Sequence, residues 1–170
     1  MDITRLILDD HAEVRRLFAL IDEVDRADKA TLAALWNRLR AFLDVHAEAE
    51  ERFFYPDLLK LGHGAADADS AKDETHDAIK DHNEIRDAGA AVDREEPGSD
   101  KWIDAVAKAN EANGDHLAEE ERQGLSDFRR NAPPELSHAL ALKFAAFEAE
   151  HLTGVKPVDK DPDEYIRKNA

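Results

Sequence analysis

Four histidines and two glutamates recur at matched spacing along this chain: His11, then His46 with Glu50, then His82, then His116 with Glu120. Imidazole nitrogen and carboxylate oxygen together form a donor set for first-row transition metals. In H-x-x-x-E on a helix, the carboxylate rises roughly 6 Å beyond the imidazole and stays on nearly the same face. The phrase is written twice, as "HAEAEER" from His46 and "HLAEEER" from His116, and each copy continues to an aspartate at the same offset, Asp57 and Asp127. Upstream, "DHAEVR" (10–15) is echoed by "DHNEIR" (81–86), and the two histidines of each half stand 35 and 34 residues apart. This predicts a duplicated helical hairpin, each copy supplying two histidines and one glutamate.

Two carboxylates facing each other in a core would cost several kcal/mol each if left unpaired. A metal ion resolves the whole cluster at once; the competing reading is a metal-free, hydrogen-bonded polar layer. Six ligands are too many for one tetrahedral zinc, and the chain has no cysteine, the usual donor of closed structural zinc sites. They suit two octahedral ions that share the glutamates and leave positions for an oxo or hydroxo bridge and a small exogenous ligand. Iron fits this donor set first, with manganese or zinc next.

The elements that must position these groups are helical. Ile3, Ile7, His11, Val14, Phe18 and Ile21 follow steps of three and four, as do Leu32, Leu35, Leu39, Phe42, His46, Glu50 and Phe53. Pro56 marks the end of that second helix. A third carries Ile79, His82, Ile85, Gly89 and Val92, and a fourth carries Trp102, Val106, Ala109, Asn113, His116, Glu120 and Gln123. "NAPPELS" (131–137) breaks the chain and caps a shorter helix bearing Leu140, Phe144 and Phe147, and "VKPVDKDPDEYIRKNA" reads as a tail wrapped on or trailing from the domain. The fold class expected is all-α, an up-down-up-down four-helix bundle (1–130) with a C-terminal helix and tail (131–170) in the same domain. Residues equidistant from a turn share a level in an antiparallel pair. The midpoints between successive histidines fall in "RADK", "GHGAAD" and "EPGSD", the three predicted connections, so the four imidazoles should lie in one layer.

At 170 residues the chain has room for one domain with a sizeable core. Its 39 acidic against 23 basic residues give a net charge of −16, which repels phosphate backbones and anionic lipids. Neither nucleic acid nor membrane is expected as a partner. No apolar run is long enough to span a bilayer, and "MDITRLILDDH" lacks the basic start and apolar stretch of a secretory signal. With no cysteine, this suits a cytoplasmic location; the sequence is silent on oligomeric state.

The combined pattern of His11, His46 with Glu50, His82, and His116 with Glu120 resembles the hemerythrin-like (HHE cation-binding) domain over roughly residues 3–130. The resemblance implies an up-and-down four-helix bundle holding a non-haem di-iron centre, with the four histidines as terminal ligands and Glu50 and Glu120 bridging the irons. Oxygen-carrying hemerythrins place a second histidine one turn away on the third helix, and an aspartate five residues after the fourth-helix histidine. Here position 78 is alanine and the fourth helix offers Glu120 and Glu121, so simple oxygen carriage is in doubt. Two residues could supply a further ligand. His76 lies six positions before His82, about 120° off its face. Tyr55 lies five residues past Glu50, roughly 7.5 Å further along the helix on the side away from His46. Its angle is poor on an ideal helix, but Pro56 marks a helix end there. A phenolate ligand also resembles hemerythrin-like proteins of actinobacterial type.

Other polar residues read more plainly. Glu51 and Glu121 are expected solvated or paired with Arg52, Arg122 or neighbours, the alternative being that they orient a ligand. Asp10 and Asp81 are expected on the surface, the alternative being that they orient a neighbouring imidazole. His63 and His138 are expected exposed, His151 outside the ligand set, and Trp36 and Trp102 in the core. The function expected is a di-iron protein that binds or reacts with dioxygen, peroxide or nitric oxide, possible enzyme activities being catalase-like or nitric-oxide-handling. The alternative is a non-enzymatic oxygen, redox or iron sensor, or an iron-handling module, read out through the C-terminal segment.

Overall fold

The structure, a computed structural model, describes residues 1–170. It is all-helical, with α1 (Ile3–Glu23), α2 (Lys29–Phe53), α3 (Tyr55–Leu61), α4 (Ala71–Val92), α5 (Asp100–Arg122), α6 (Gly124–Asn131), α7 (Pro134–Glu150) and α8 (Pro162–Asn169). No helix is long and apolar enough to cross a membrane. The long helices start where a short polar side chain can take an otherwise unpaired amide. Asp2 accepts from Thr4 N, Asp28 from Thr31 N, Ser70 from Asp73 N and Ser99 from Trp102 N. Each such cap is worth about 1 kcal/mol.

The four long helices form a bundle in which α1 packs on α2 and α4 on α5, with α1–α5 and α2–α4 contacts closing the ring. The α5 start depends on the turn before it. Gly98 has φ +80, and a Cβ there would stand 2.2 Å from the Arg26 carbonyl, so "EPGSD" needs its glycine.

Two apolar clusters fill the interior. One, around Val14, Phe18, Leu32, Trp36, Leu39 and Trp102, lies toward the α1–α2 and α4–α5 turns. The other, around Ile7, Phe54, Leu58, Ile79, Phe128 and Phe144, fills the opposite end. Trp36 and Trp102 meet edge to face with centroids 6.3 Å apart, consistent with their expected core role. The buried histidines and glutamates belong to neither cluster.

Three elements depart from the sequence expectation. The second helix ends close to Pro56, as expected, but helix resumes at once as the short α3, and the fourth helix breaks at Gln123 to give the short α6. Pro56 at the start of α3 accounts for the first break, because it has no N–H to continue the ladder; Gly124 opens the element after the second. The C-terminal tail folds into α8, capped by the Asp161 side chain, and packs on α4, while α7 covers α1 and α2.

Candidate metal centre

The duplicated motifs converge between the two apolar clusters. His11, His46, His82, His116, Glu50 and Glu120 are all buried, none more than 5 % exposed. The α1–α2 half presents His11 and His46, ring centroids 5.3 Å apart, and the α4–α5 half presents His82 and His116, 4.7 Å apart. Glu50 spans them. Its Oε1 stands 3.0 Å from His46 Nε2, and its Oε2 stands 3.3 Å from His82 Nε2. Glu120 lies opposite, with Oε2 3.2 Å from His11 Nε2. His11, His46 and Glu50 form one group able to hold a cation, and Glu50, His82 and His116 form another.

Tyr55 joins them because α2 breaks. The backbone turn at Phe54 (φ −103, ψ −62) carries the next side chain inward. Tyr55 is 1 % exposed, its hydroxyl donates to Glu120 Oε1 at 2.6 Å, and its ring centroid is 5.8 Å from that of His82. Ala78, where a fifth histidine would stand, lines one small cavity with Tyr55, His116 and Glu120. The other candidate, His76, is 40 % exposed and faces Asp77 and Asp163 at the surface, outside the cluster. Its position on the ring of α4 is set by helical phase, and α4 has no break that could turn it in. His63 and His138 are exposed, and His151 stacks on Phe147 away from the centre.

Glu51 and Glu121 pair with arginines as expected, Arg86 and Arg15, but with Asp10 and Asp81 they also stand at imidazole nitrogens, which corrects the surface reading in favour of its alternative. Each metal-facing imidazole has a carboxylate at its far nitrogen. His11 Nδ1 donates to Glu121 at 2.9 Å, His46 Nδ1 to Asp10 at 3.2 Å and His82 Nδ1 to Glu51 at 2.8 Å. Asp81 stands 3.5 Å from His116 Nδ1. Within each hairpin, the aspartate before the first histidine serves the second histidine. Between hairpins, the second glutamate of each E-E pair serves the other half's first histidine. The signal was present in the repeat itself, since "DH" and "EER" occur in both copies; helix-surface logic concealed it. Carboxylates so placed fix the tautomer and aim Nε2 at the centre.

Electrostatics follow the same plan. Burial pulls the His11, His46 and His82 pKa values down, but neighbouring carboxylates outweigh it. His82 ends at about 9 through Glu50 and Glu51, His11 is raised through Glu120 and Glu121, and His46 lies well above normal through Glu50 and Asp10. Burial likewise raises Glu50, yet His46 and His82 hold it well below the usual range. Burial, then the Glu120 and Glu50 charges, push the Tyr55 phenol up, so it keeps its proton in the absence of a cation. The cluster therefore demands positive charge at its centre. Five buried atoms aimed there, His11 Nε2, His46 Nε2, both Glu50 oxygens and Glu120 Oε2, face charged neighbours at 3.0–3.3 Å but form no hydrogen bond. Such groups cost 1–3 kcal/mol each or more when left unmatched, and metal coordination is the chemistry that this donor set fits.

No curated protein and no solved structure matches the chain. The model of the hemerythrin HHE cation-binding domain matches residues 2–125, which carry all seven of the residues gathered here, and on that match the chain belongs to the hemerythrin HHE cation-binding family.

Proposed function

We propose that the protein is a di-iron hemerythrin-like protein that binds or turns over a small oxygen or nitrogen species, peroxide or nitric oxide before dioxygen. The observation that carries this is the set of five buried nitrogen and oxygen atoms, none of them hydrogen-bonded, that converge from both halves of a repeat. His11 and His46 would hold one iron and His82 and His116 the other, with Glu50 and Glu120 bridging and Tyr55 a further ligand on the His82 side. Such a pair would supply a shared redox change and an open position for the small ligand. Manganese and zinc are the next candidates for the same donors. The long helices would alternate up and down, and α7 and α8 would complete the same domain; their packing on α1, α2 and α4 supports this. A cytoplasmic location accords with the absence of cysteine.

The chain's own groups prepare the site. Carboxylates at the Nδ1 atoms would keep the remaining proton of each neutral imidazole away from the centre once a cation displaces the proton on Nε2. Phe54, Leu58, Leu125 and Phe128, all fully buried, exclude water from the Tyr55 end. Tyr55 holds its proton against Glu120 Oε1. A phenolate there would favour iron(III) over the reversible iron(II) carrier state, which tilts the reading from carriage toward turnover.

Metal analysis with an optical spectrum tests the proposal. Protein from iron-supplemented cells should contain two irons per chain and show a visible phenolate-to-iron(III) band that disappears in Tyr55→Phe. Oxygen evolution from peroxide, or uptake of nitric oxide, should depend on the iron. Less than stoichiometric metal would favour the metal-free polar layer, and full loading without either reactivity would remove the functional half of the proposal.

A further inference from the structure

The two halves of the centre are finished in different ways, and one of them depends on residues beyond the family match. Glu121, which orients His11, is 29 % exposed and pairs with Arg15 from the same helix as that histidine. Glu51, its counterpart, has a fully buried side chain. Arg86 occupies the position equivalent to Arg15 and donates to Glu51 Oε1 at 2.7 Å. Glu51 also receives Lys160 Nζ on its second oxygen, and its main-chain carbonyl accepts the Tyr165 hydroxyl. Both come from the C-terminal segment that ends in α8.

That segment is held next to the ligand itself. Asn83, the residue after His82, clamps the Lys160 backbone through two bonds: Asn83 Nδ2 donates to Lys160 O at 2.8 Å, and Lys160 N donates to Asn83 Oδ1 at 3.1 Å. Lys160 Nζ reaches Glu48 as well, at 2.8 Å. In the first hairpin the position matching Asn83 is Ala12, which has no side-chain amide, so nothing equivalent can be built over His11.

We infer that Lys160, delivered by the C-terminal strap, is a positioning residue for the His82–His116 half of the centre, acting through Glu51, so that strap docking and metal loading of that half are coupled. This rests on the reading of the cluster as a metal centre. The physical reason is that a buried carboxylate holds an imidazole in place only while its other lone pairs are satisfied. Without Lys160, Glu51 would keep Arg86 but lose the partner of its second oxygen. By linkage, a cation that requires His82 to be held must in turn favour the docked strap.

Cobalt(II) titration of the full-length protein, followed by its visible spectrum, tests the coupling alongside hydrogen exchange of residues 155–170. Wild type should bind two equivalents. Lys160→Met should weaken one of them by about 10–100-fold, the range for residues that orient a ligand, and leave the other unchanged; Lys160→Arg should recover most of the loss. Glu51→Gln should weaken the same equivalent, and the double variant should lose little more. Arg15→Met should not weaken that equivalent. Cobalt should slow exchange in residues 155–170 of wild type but not of Lys160→Met, with circular dichroism confirming the fold of each variant. Equal affinity at both sites in Lys160→Met, an equal loss at both, or exchange indifferent to cobalt would overturn the inference while leaving the metal centre standing. A wild type that takes up no cobalt overturns the metal centre and this inference together.

Discussion

The two hairpins are copies, and comparing them separates what the repeat shares from what each half acquired. Both supply two histidines and a glutamate at intervals matched to within one residue, both carry the aspartates and glutamates that orient those histidines, and both break after the second helix. They differ at the sites outside this scaffold. Tyr55 faces the centre where the other copy has the apolar Leu125. Asn83 replaces Ala12, and Glu51 is buried beneath the C-terminal strap where Glu121 meets solvent. Asp127 is buried and takes the His63 and Gly64 amides of the link between hairpins, whereas Asp57 sits near the surface beside Lys60 at 3.7 Å. The lesson is that the histidine–glutamate frame is symmetric and its surroundings are not, so two ions held there would differ in exposure and reactivity.

The largest effect should come from the group that both halves share. Glu50→Ala should reduce loading at both positions by more than 100-fold, because its two oxygens face opposite halves; His11→Ala should chiefly affect one. Metal stoichiometry reads the difference, and a Glu50→Ala protein retaining one tight ion would break the comparison. Next, Asp127→Ala should destabilise the protein by about 3 kcal/mol, since it strands two loop amides. Asp57→Ala should stay within about 0.5 kcal/mol, as surface changes do. Urea denaturation of the two variants side by side measures both.

Tyr55→Phe should cost the metal-free protein about 2 kcal/mol, the loss of a buried hydrogen bond to a charged acceptor. Leu125→Met, a change of shape alone at the matching position, should cost less than about 1.5 kcal/mol. A comparable effect, present only at higher pH, belongs to Glu74, near Asp127. Burial, partly opposed by the bond from the Ala65 amide and then reinforced by the Asp127 charge, pushes its carboxyl up to about 7. The folded state thus binds that proton more tightly than the unfolded state. Its contribution is fully present below pH 4.5 and is lost as pH rises through about 7. Glu74→Gln should therefore gain roughly 2 kcal/mol on wild type above pH 7 and nothing below pH 4.5. Equal denaturation midpoint shifts at pH 4 and pH 8 would show that Glu74 is not buried against a charge.

Much of the ligand set could be read from spacing. His11, His46, His82 and His116 came to one level because each lies equidistant from a turn with its neighbour, and H-x-x-x-E puts a carboxylate on the same face. Tyr55 was legible only as an alternative, since a straight helix would have turned it away; the break at Phe54 brings its side chain into the buried cluster, where His76 does not reach. For Asp10, Asp81, Glu51 and Glu121 the sequence favoured the surface or an arginine partner over the orienting role that the bundle gives them. Each sits one residue along from a ligand, about 100° around its helix, which on a single helix points away from the core. In the bundle that direction points at the neighbouring helix's imidazole.

The sequence by itself determined the periodic helices, their turns, the duplicated hairpin and the six-residue layer of histidines and glutamates, because all of these follow from local geometry repeated at fixed intervals. Tertiary structure decided which carboxylate serves which histidine, and that the last residues of the chain reach Glu51, 109 positions earlier. Such pairings arise where helices far apart in the chain are brought side by side, and burial then requires each charge to find a partner among whatever groups stand there.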